Sequence, residues 1–204
     1  MQPRRITHAH GTPKNLLVYD RWGRFGRPVV LLHGLGHDRT MWWPVAADLG
    51  DDCAAVTIDL PGHGQSAERT DHDLGRLAHD LAMLISGLNL NRAPILVGHA
   101  EATLLADAFA GRYTTHAVIT VDQADTEPDL EALPELYRQF AARQPDLDLQ
   151  PMRHSWAAHL PARRLAVNAS RVHVGAASAA NPVGACLPHL RDPAGFADLL
   201  RGLT

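Results

Sequence analysis

One alanine sits between two residues that could move protons: His99, Ala100 and Glu101 run consecutively in Ile95-Leu96-Val97-Gly98-His99-Ala100-Glu101-Ala102. A carboxylate at the start of a helix can take a proton from a bound ligand and return it. Imidazoles can do the same near neutral pH, and the sequence holds 13 histidines, with His33, His37, His63, His99 and His189 next to glycine or turn motifs. Cys186 offers a thiol and Asp122 a further carboxylate. No H-E-x-x-H or C-x-x-C spacing organises these groups, so no metal and no cofactor is expected.

These groups must be held by elements, and the apolar pattern predicts which. Ile95-Leu96-Val97 is a short buried strand, and Thr103, Leu104, Leu105, Ala108 and Phe109 begin a helical pattern at once. The chain therefore turns sharply near position 100, where Gly98 and Ala102 let strand and helix backbones approach. Upstream, Arg4 to His10 and Asn15 to Trp22 read as a hairpin around Gly11-Thr12-Pro13. Val29 to Leu32 is an apolar run of the kind buried on both faces of a parallel sheet. Met41 to Leu49 reads as a helix, Cys53 to Leu60 as a strand, and Leu74 to Leu88 as a helix with a regular apolar stripe. Ala117 to Val121 is a strand. Pro128 to Arg143 and Met152 to Val167 read as helices, Arg171 to Val174 as a strand and Phe196 to Leu203 as a terminal helix. This alternation predicts an α/β fold, a mostly parallel sheet with helices on both faces. Residues 1–204 then form one domain, with 123–168 as a reduced helical lid.

Composition narrows the partners. There are 22 acidic residues against 19 Lys and Arg, which gives no electrostatic case for nucleic acid. No apolar run reaches a membrane span or a signal-peptide core. The two cysteines make no disulfide framework, so a reducing cytoplasm is the expected location.

Three segments resemble the α/β-hydrolase superfamily. Val30-Leu31-Leu32-His33-Gly34-Leu35-Gly36 looks like its strand and His-Gly loop. Asp59-Leu60-Pro61-Gly62-His63-Gly64-Gln65-Ser66 looks like its D-x-P-G-x-G-x-S loop. Leu96-Val97-Gly98-His99-Ala100 looks like its L-V-G-H-S strand and nucleophile elbow. Pro188-His189-Leu190-Arg191-Asp192-Pro193 resembles its C-terminal ending. The resemblance implies the α/β-hydrolase fold with a reduced lid, and an oxyanion hole made by the backbone N–H groups of Leu35 and Glu101.

The same resemblance implies a serine, a histidine and a carboxylate as the catalytic set. Ala100 stands in the serine's place and Cys186 in the histidine's. Ser178 ends the segment where the carboxylate is expected, leaving Asp122 or Asp125 as displaced acids. Glu101 replaces a residue that is usually apolar or glutamine. The catalytic candidates are thus Glu101, His37, His189 and Cys186. Glu101 has an alternative place as a helix cap or in solvent. His33, Trp42, Trp43 and Asp122 are candidate pocket-lining residues, although a histidine in His33's place in the family's loop mostly braces backbone, and Trp42 and Trp43, with Met41, are as readily core. His99 reads as a core histidine and His63 as a surface group in a turn.

Three functions compete. The first is a cofactor-independent lyase, isomerase or cyclase using the oxyanion hole on a small apolar metabolite. The second is a pseudoenzyme that binds a ligand or carrier. The third is an ester or thioester hydrolase or acyltransferase, with Ala100 introduced in place of serine or with displaced catalytic residues. The short lid leaves either an open cleft or one completed by a second subunit, a homodimer.

Overall fold

Strands that are apolar on both faces need cover on both sides, and the fold supplies it. The computed structural model describes residues 4–122, 130–144, 147–158, 170–174 and 187–204. Seven strands form one sheet: β1 (Ile6–His10), β2 (Leu17–Trp22), β3 (Pro28–Leu32), β4 (Ala54–Ile58), β5 (Ile95–His99), β6 (Ala117–Val121) and β7 (Ser170–Val174). Their order is β1-β2-β4-β3-β5-β6-β7. The pairs β1–β2 and β2–β4 are antiparallel, and all later pairs are parallel. The expected hairpin therefore forms the sheet edge, and the rest is the parallel α/β sheet.

The strand order reverses at β3, which lies between β4 and β5. In open parallel sheets a crevice opens at the C-terminal strand ends beside such a reversal. Here those ends are Leu32, which runs into His33-Gly34-Leu35-Gly36, and His99, which runs into Ala100.

Helices α1 (Trp43–Leu49) and α7 (Pro193–Arg201) cover one face of the sheet, packing on Val29, Leu31, Ile95 and Val97. Helices α2 (Leu74–Gly87) and α3 (Ala102–Ala110) cover the other, over Val30, Leu32 and Leu96. Alternate residues of one strand thus enter opposite cores, as a two-fold repeat requires.

The region after β6 differs from its expected form. In place of one helix from 128 to 143, the described part holds 3-10 turns at Leu130–Ala132 and Gln139–Ala141 around the short α4 (Glu135–Arg138). Pro134 caps α4 and interrupts the run. Helix α5 (Gln150–Ala157) starts two residues earlier than the apolar pattern implied, with a proline in its first turn. It buries Met152 and Trp156 against the α2–α3 core. The expected continuation to Val167 lies outside the described residues. The first helix also begins differently, as a 3-10 turn over Arg39–Trp42 capped by Asp38. A short α6 (Pro188–Arg191) precedes α7.

Gly98 is required where it stands. A Cβ there would lie 2.8 Å from the Ala102 carbonyl oxygen and from Thr103 N and Cα, all backbone atoms. Gly98→Ala should therefore cost about 1–3 kcal/mol through overpacking. Gly87, at the end of α2, has nothing within 4 Å of such a Cβ, and Gly87→Ala should stabilise by about 0.5–1 kcal/mol. Urea unfolding of both variants measures the contrast, and equal effects at the two positions would contradict this packing account.

Candidate active site

Ala100 has φ 50°, in the left-handed region where a non-glycine residue costs about 1–2 kcal/mol. It lies between β5 and α3, and its N–H is tied to the Val121 carbonyl at 2.8 Å. The expected sharp corner is therefore present. Gly34 lies directly against it: a Cβ on Gly34 would be 3.2 Å from the Ala100 Cβ and 2.5 Å from His99 Nδ1. A side chain on Gly34 would push the β3 loop off the corner.

The loop after β3 is held peptide by peptide. The Gly34 carbonyl accepts from His33 Nδ1 at 2.9 Å and from the His37 N–H at 3.1 Å. A trans peptide carries its N–H opposite its C=O, so pinning the Gly34 oxygen also fixes the direction of the Leu35 N–H. The Gly36 N–H donates to His63 Nε2 at 3.0 Å, and His63 Nδ1 donates to the Pro61 carbonyl at 2.9 Å. The Leu60 N–H donates to His33 Nε2 at 2.9 Å. Both rings therefore accept through Nε2 and donate through Nδ1, which requires neutral imidazole. Neither the Leu35 N–H nor the Glu101 N–H donates to a protein acceptor among the described residues. His33 is a backbone brace, and so is His63, which is buried and not on the surface as its turn motif implied.

Glu101 neither caps α3 through its side chain nor stands in solvent. Its side chain is 13% exposed, and Oε1 lies 3.3 Å from Arg153 Nε on α5. His37 is buried, with its ring 5.7 Å from that of His99. His189 is fully buried, 4.1 Å from the Trp42 ring and 5.5 Å from His99, and neither ring nitrogen has a hydrogen-bond partner among the described residues. Trp42 packs in the core between His189 and Phe196. Trp43 turns toward the sheet edge: Nε1 donates to Asp20 at 2.9 Å and Arg5 lies over its ring. It is not brought to the corner. Met41 is fully buried core. Cys186, Asp125 and Ser178 lie outside the described residues. Cys53 is buried, and desolvation pushes its thiol up to about 11, which leaves it inert as a nucleophile.

Two arrangements were missed from sequence. Asp122, at φ 55°, accepts the Leu187 N–H at 2.7 Å and places Oδ2 3.3 Å from His99 Nε2. The signal for this pair was available: His99 ends β5, Asp122 follows β6, and the two strands are parallel neighbours in register. The second is a buried network around Arg39, which donates to Asp20 at 2.9 Å and also bonds Asp59. Asp59 accepts the Arg39 and Gln65 N–H groups at 2.8 Å each and so shapes the 59–66 loop that carries His63.

Burial lowers the pKa of His33, His63 and His189, and carries His37 down to about 3. The unfolded chain takes up protons near 6.5 while these folded imidazoles resist them. Stability is thus complete above about 6.5 and falls as pH drops below it, by up to about 1.4 kcal/mol per unit for each such group. Asp59, raised by burial, acts in the opposite sense. Urea denaturation should show stability lower at pH 5 than at pH 7.5 by at least about 1 kcal/mol. Equal midpoints would mean that the loop histidines are not held neutral.

Comparison with known proteins agrees with this geometry. The model of the alpha/beta hydrolase family matches residues 29–203. An esterase of Mycobacterium tuberculosis is 33% identical over 150 residues, 63% of this chain and 47% of that protein. The pimeloyl-[acyl-carrier protein] methyl ester esterase of Vibrio parahaemolyticus is 31% identical over 132 residues, 64% of this chain and 46% of that protein. The chain thus spans about half the length of these curated relatives. The crystal structure of Cfl2 from Burkholderia cenocepacia superposes with a TM-score of 0.76 at 17% identity, covering 97% of this chain and 95% of that one. The epoxide hydrolase CorEH superposes with a TM-score of 0.71 at 15% identity, covering 98% of each chain. These two likenesses concern fold alone. With a family match over most of its length and the corner, loops and sheet order in place, the chain belongs to the alpha/beta hydrolase family.

Proposed function

We propose that this protein is a cofactor-independent enzyme that works through an oxyanion hole without forming a covalent intermediate. The observation that carries the reading is the corner itself. Alanine is held in a strained left-handed conformation, beside two backbone N–H groups that no protein acceptor uses among the described residues. Strain of this kind persists where the surrounding structure imposes it, and it concentrates at functional sites. An alanine there cannot attack a substrate, so the serine-based triad is degenerate and the charge-stabilising half of the machinery remains.

The reaction follows from what is left. A small apolar metabolite places its carbonyl oxygen between the Leu35 and Glu101 N–H groups. The Glu101 carboxylate takes a proton from the adjacent carbon, and the electron pair becomes an enolate whose oxygen the two donors stabilise. Such donors are worth about 3–4 kcal/mol each in acyl transfer. Returning the proton to another carbon gives an isomerase, and expelling a group from the next carbon gives a lyase. The small exposure of the Glu101 side chain supports this role, and its Oε1 lies 3.3 Å from Arg153 Nε.

The names of the relatives favour a second reading, hydrolysis of an ester, with a hydroxide or a displaced group attacking a carbonyl in the same cradle. A third reading, a binding protein without turnover, shares the cradle and lacks the proton transfer.

Proton exchange separates these readings. In D2O, a panel of small apolar ketones and esters should exchange deuterium at carbons next to the carbonyl, observed by NMR. Glu101→Gln should slow this by about 10²–10⁴-fold while the melting temperature stays within a few degrees. Unchanged exchange in Glu101→Gln removes Glu101 from the mechanism, and none in the parent protein favours binding. Ala100→Ser tests hydrolysis. On the proposed reading it leaves p-nitrophenyl acetate cleavage within about tenfold of the parent protein. A gain of about a hundredfold or more would mean that a working histidine and acid are present.

A further inference from the structure

We propose that the segment from Gln139 to Gln144 is a clasp that holds the oxyanion loop from the cover side, with Gln144 as its positioning residue. The Gln144 N–H donates to the Gly36 carbonyl at 2.7 Å. Its side-chain Oε1 accepts from the Gly64 N–H at 3.4 Å, and its Nε2 donates to Asp38 Oδ2 at 3.3 Å. One residue thus touches the loop after β3, the loop after β4 and the aspartate that caps the 3-10 turn before α1.

The placement gives these bonds a specific effect. Gly36 has φ 87°, and its N–H is already held by His63. The Gln144 bond captures its carbonyl, so the peptides on both sides of Gly36 are fixed, one from the 59–66 loop and one from the cover. Leu35 precedes this residue directly, and its N–H direction depends on the loop remaining in that form.

The clasp has its own footing. Leu133 and Ala141 are buried in the α1–α7 core, and Phe140 packs on Trp43 at 6.2 Å between ring centroids. The segment therefore stands on the core independently of the bonds it makes to the loop. A second tie, Glu101 to Arg153, joins the corner to α5, so the short insert reaches the loops at one point and the corner at another.

The clasp stands on geometry alone, whereas its catalytic consequence rests on the oxyanion reading above. Two variants separate its parts. Gln144→Ala deletes both side-chain bonds, and Gln144→Pro deletes these together with the N–H donor, so the difference between the two reports the backbone bond. Hydrogen exchange read by mass spectrometry should become about tenfold faster in peptides covering 34–38 and 62–65 of both variants, with β5 and α2 unchanged. Unchanged exchange at those loops in both variants overturns the clasp. If Gln144→Pro also loses protection in β5, Gln144→Ala decides the matter.

Phenylphosphonate, a stable mimic of a tetrahedral oxyanion, then reads the consequence by calorimetry. Its affinity should fall about 3–10-fold in a variant whose loops open, and an unchanged affinity there overturns the positioning role. Failure of the parent protein to bind phenylphosphonate, with the exchange result intact, counts against the oxyanion reading and leaves the clasp standing.

Discussion

The left-handed turn at Ala100 is the constraint on which the rest of the structure depends. A parallel strand can pass directly into a covering helix only if one residue reverses the backbone between them. That residue pays a conformational penalty unless it is glycine. Here it is alanine, so neighbouring packing must impose the turn. Gly98 allows the first turn of α3 to lie on β5, and Gly34 allows the β3 loop to lie on the corner. The Ala100 N–H, tied to Val121, fastens the turn to the next strand. At position 100 itself these contacts involve only backbone and Cβ, so the turn does not depend on a longer side chain there.

Around the corner, polar groups are used to orient backbone. His33 and His63 spend both ring nitrogens on backbone partners of two loops, and burial keeps them neutral. Arg39 lies between Asp20 and Asp59, with both carboxylates fully buried. Buried ion pairs are poor sources of net stability, since desolvation offsets most of the attraction. What such a network contributes is a single loop conformation. The 59–66 loop is fixed by Asp59, and through His63 it fixes Gly36.

Much of the fold was legible in the sequence because its central strands are buried on both faces. Continuous apolar runs at 29–32, 95–97 and 117–121 leave little alternative to a parallel sheet, and glycine-rich loops follow two of its strands. The cover was harder to read. The apolar pattern of 128–143 is compatible with one helix, and the break comes from local geometry at Pro134 together with burial of Leu133 and Ala141 on either side of α4. In the site, the backbone role of His33 was readable from its loop, while the depth of His63 was not, since a turn motif says nothing of what packs over it. The partner of Glu101 is 52 residues away on α5, a distance at which side-chain periodicity carries no information. Gln144 was also beyond reach, because a lone glutamine between short helices has no distinguishing pattern and its strongest bond is made by its backbone. The pairing of His99 with Asp122 could have been inferred once adjacent parallel strands were assumed.

On the proposed reading, a place for negative charge stands at the Ala100 corner without a nucleophile beside it. The most direct measurement is a titration of the 15N-labelled protein with phenylphosphonate, following the backbone amide signals of Leu35 and Glu101. Charge-assisted hydrogen bonds to the phosphonate should move both amide protons strongly downfield along a single binding curve, with smaller changes elsewhere. Signals that stay in place at saturation, or that move only at residues remote from the corner, would contradict the claim.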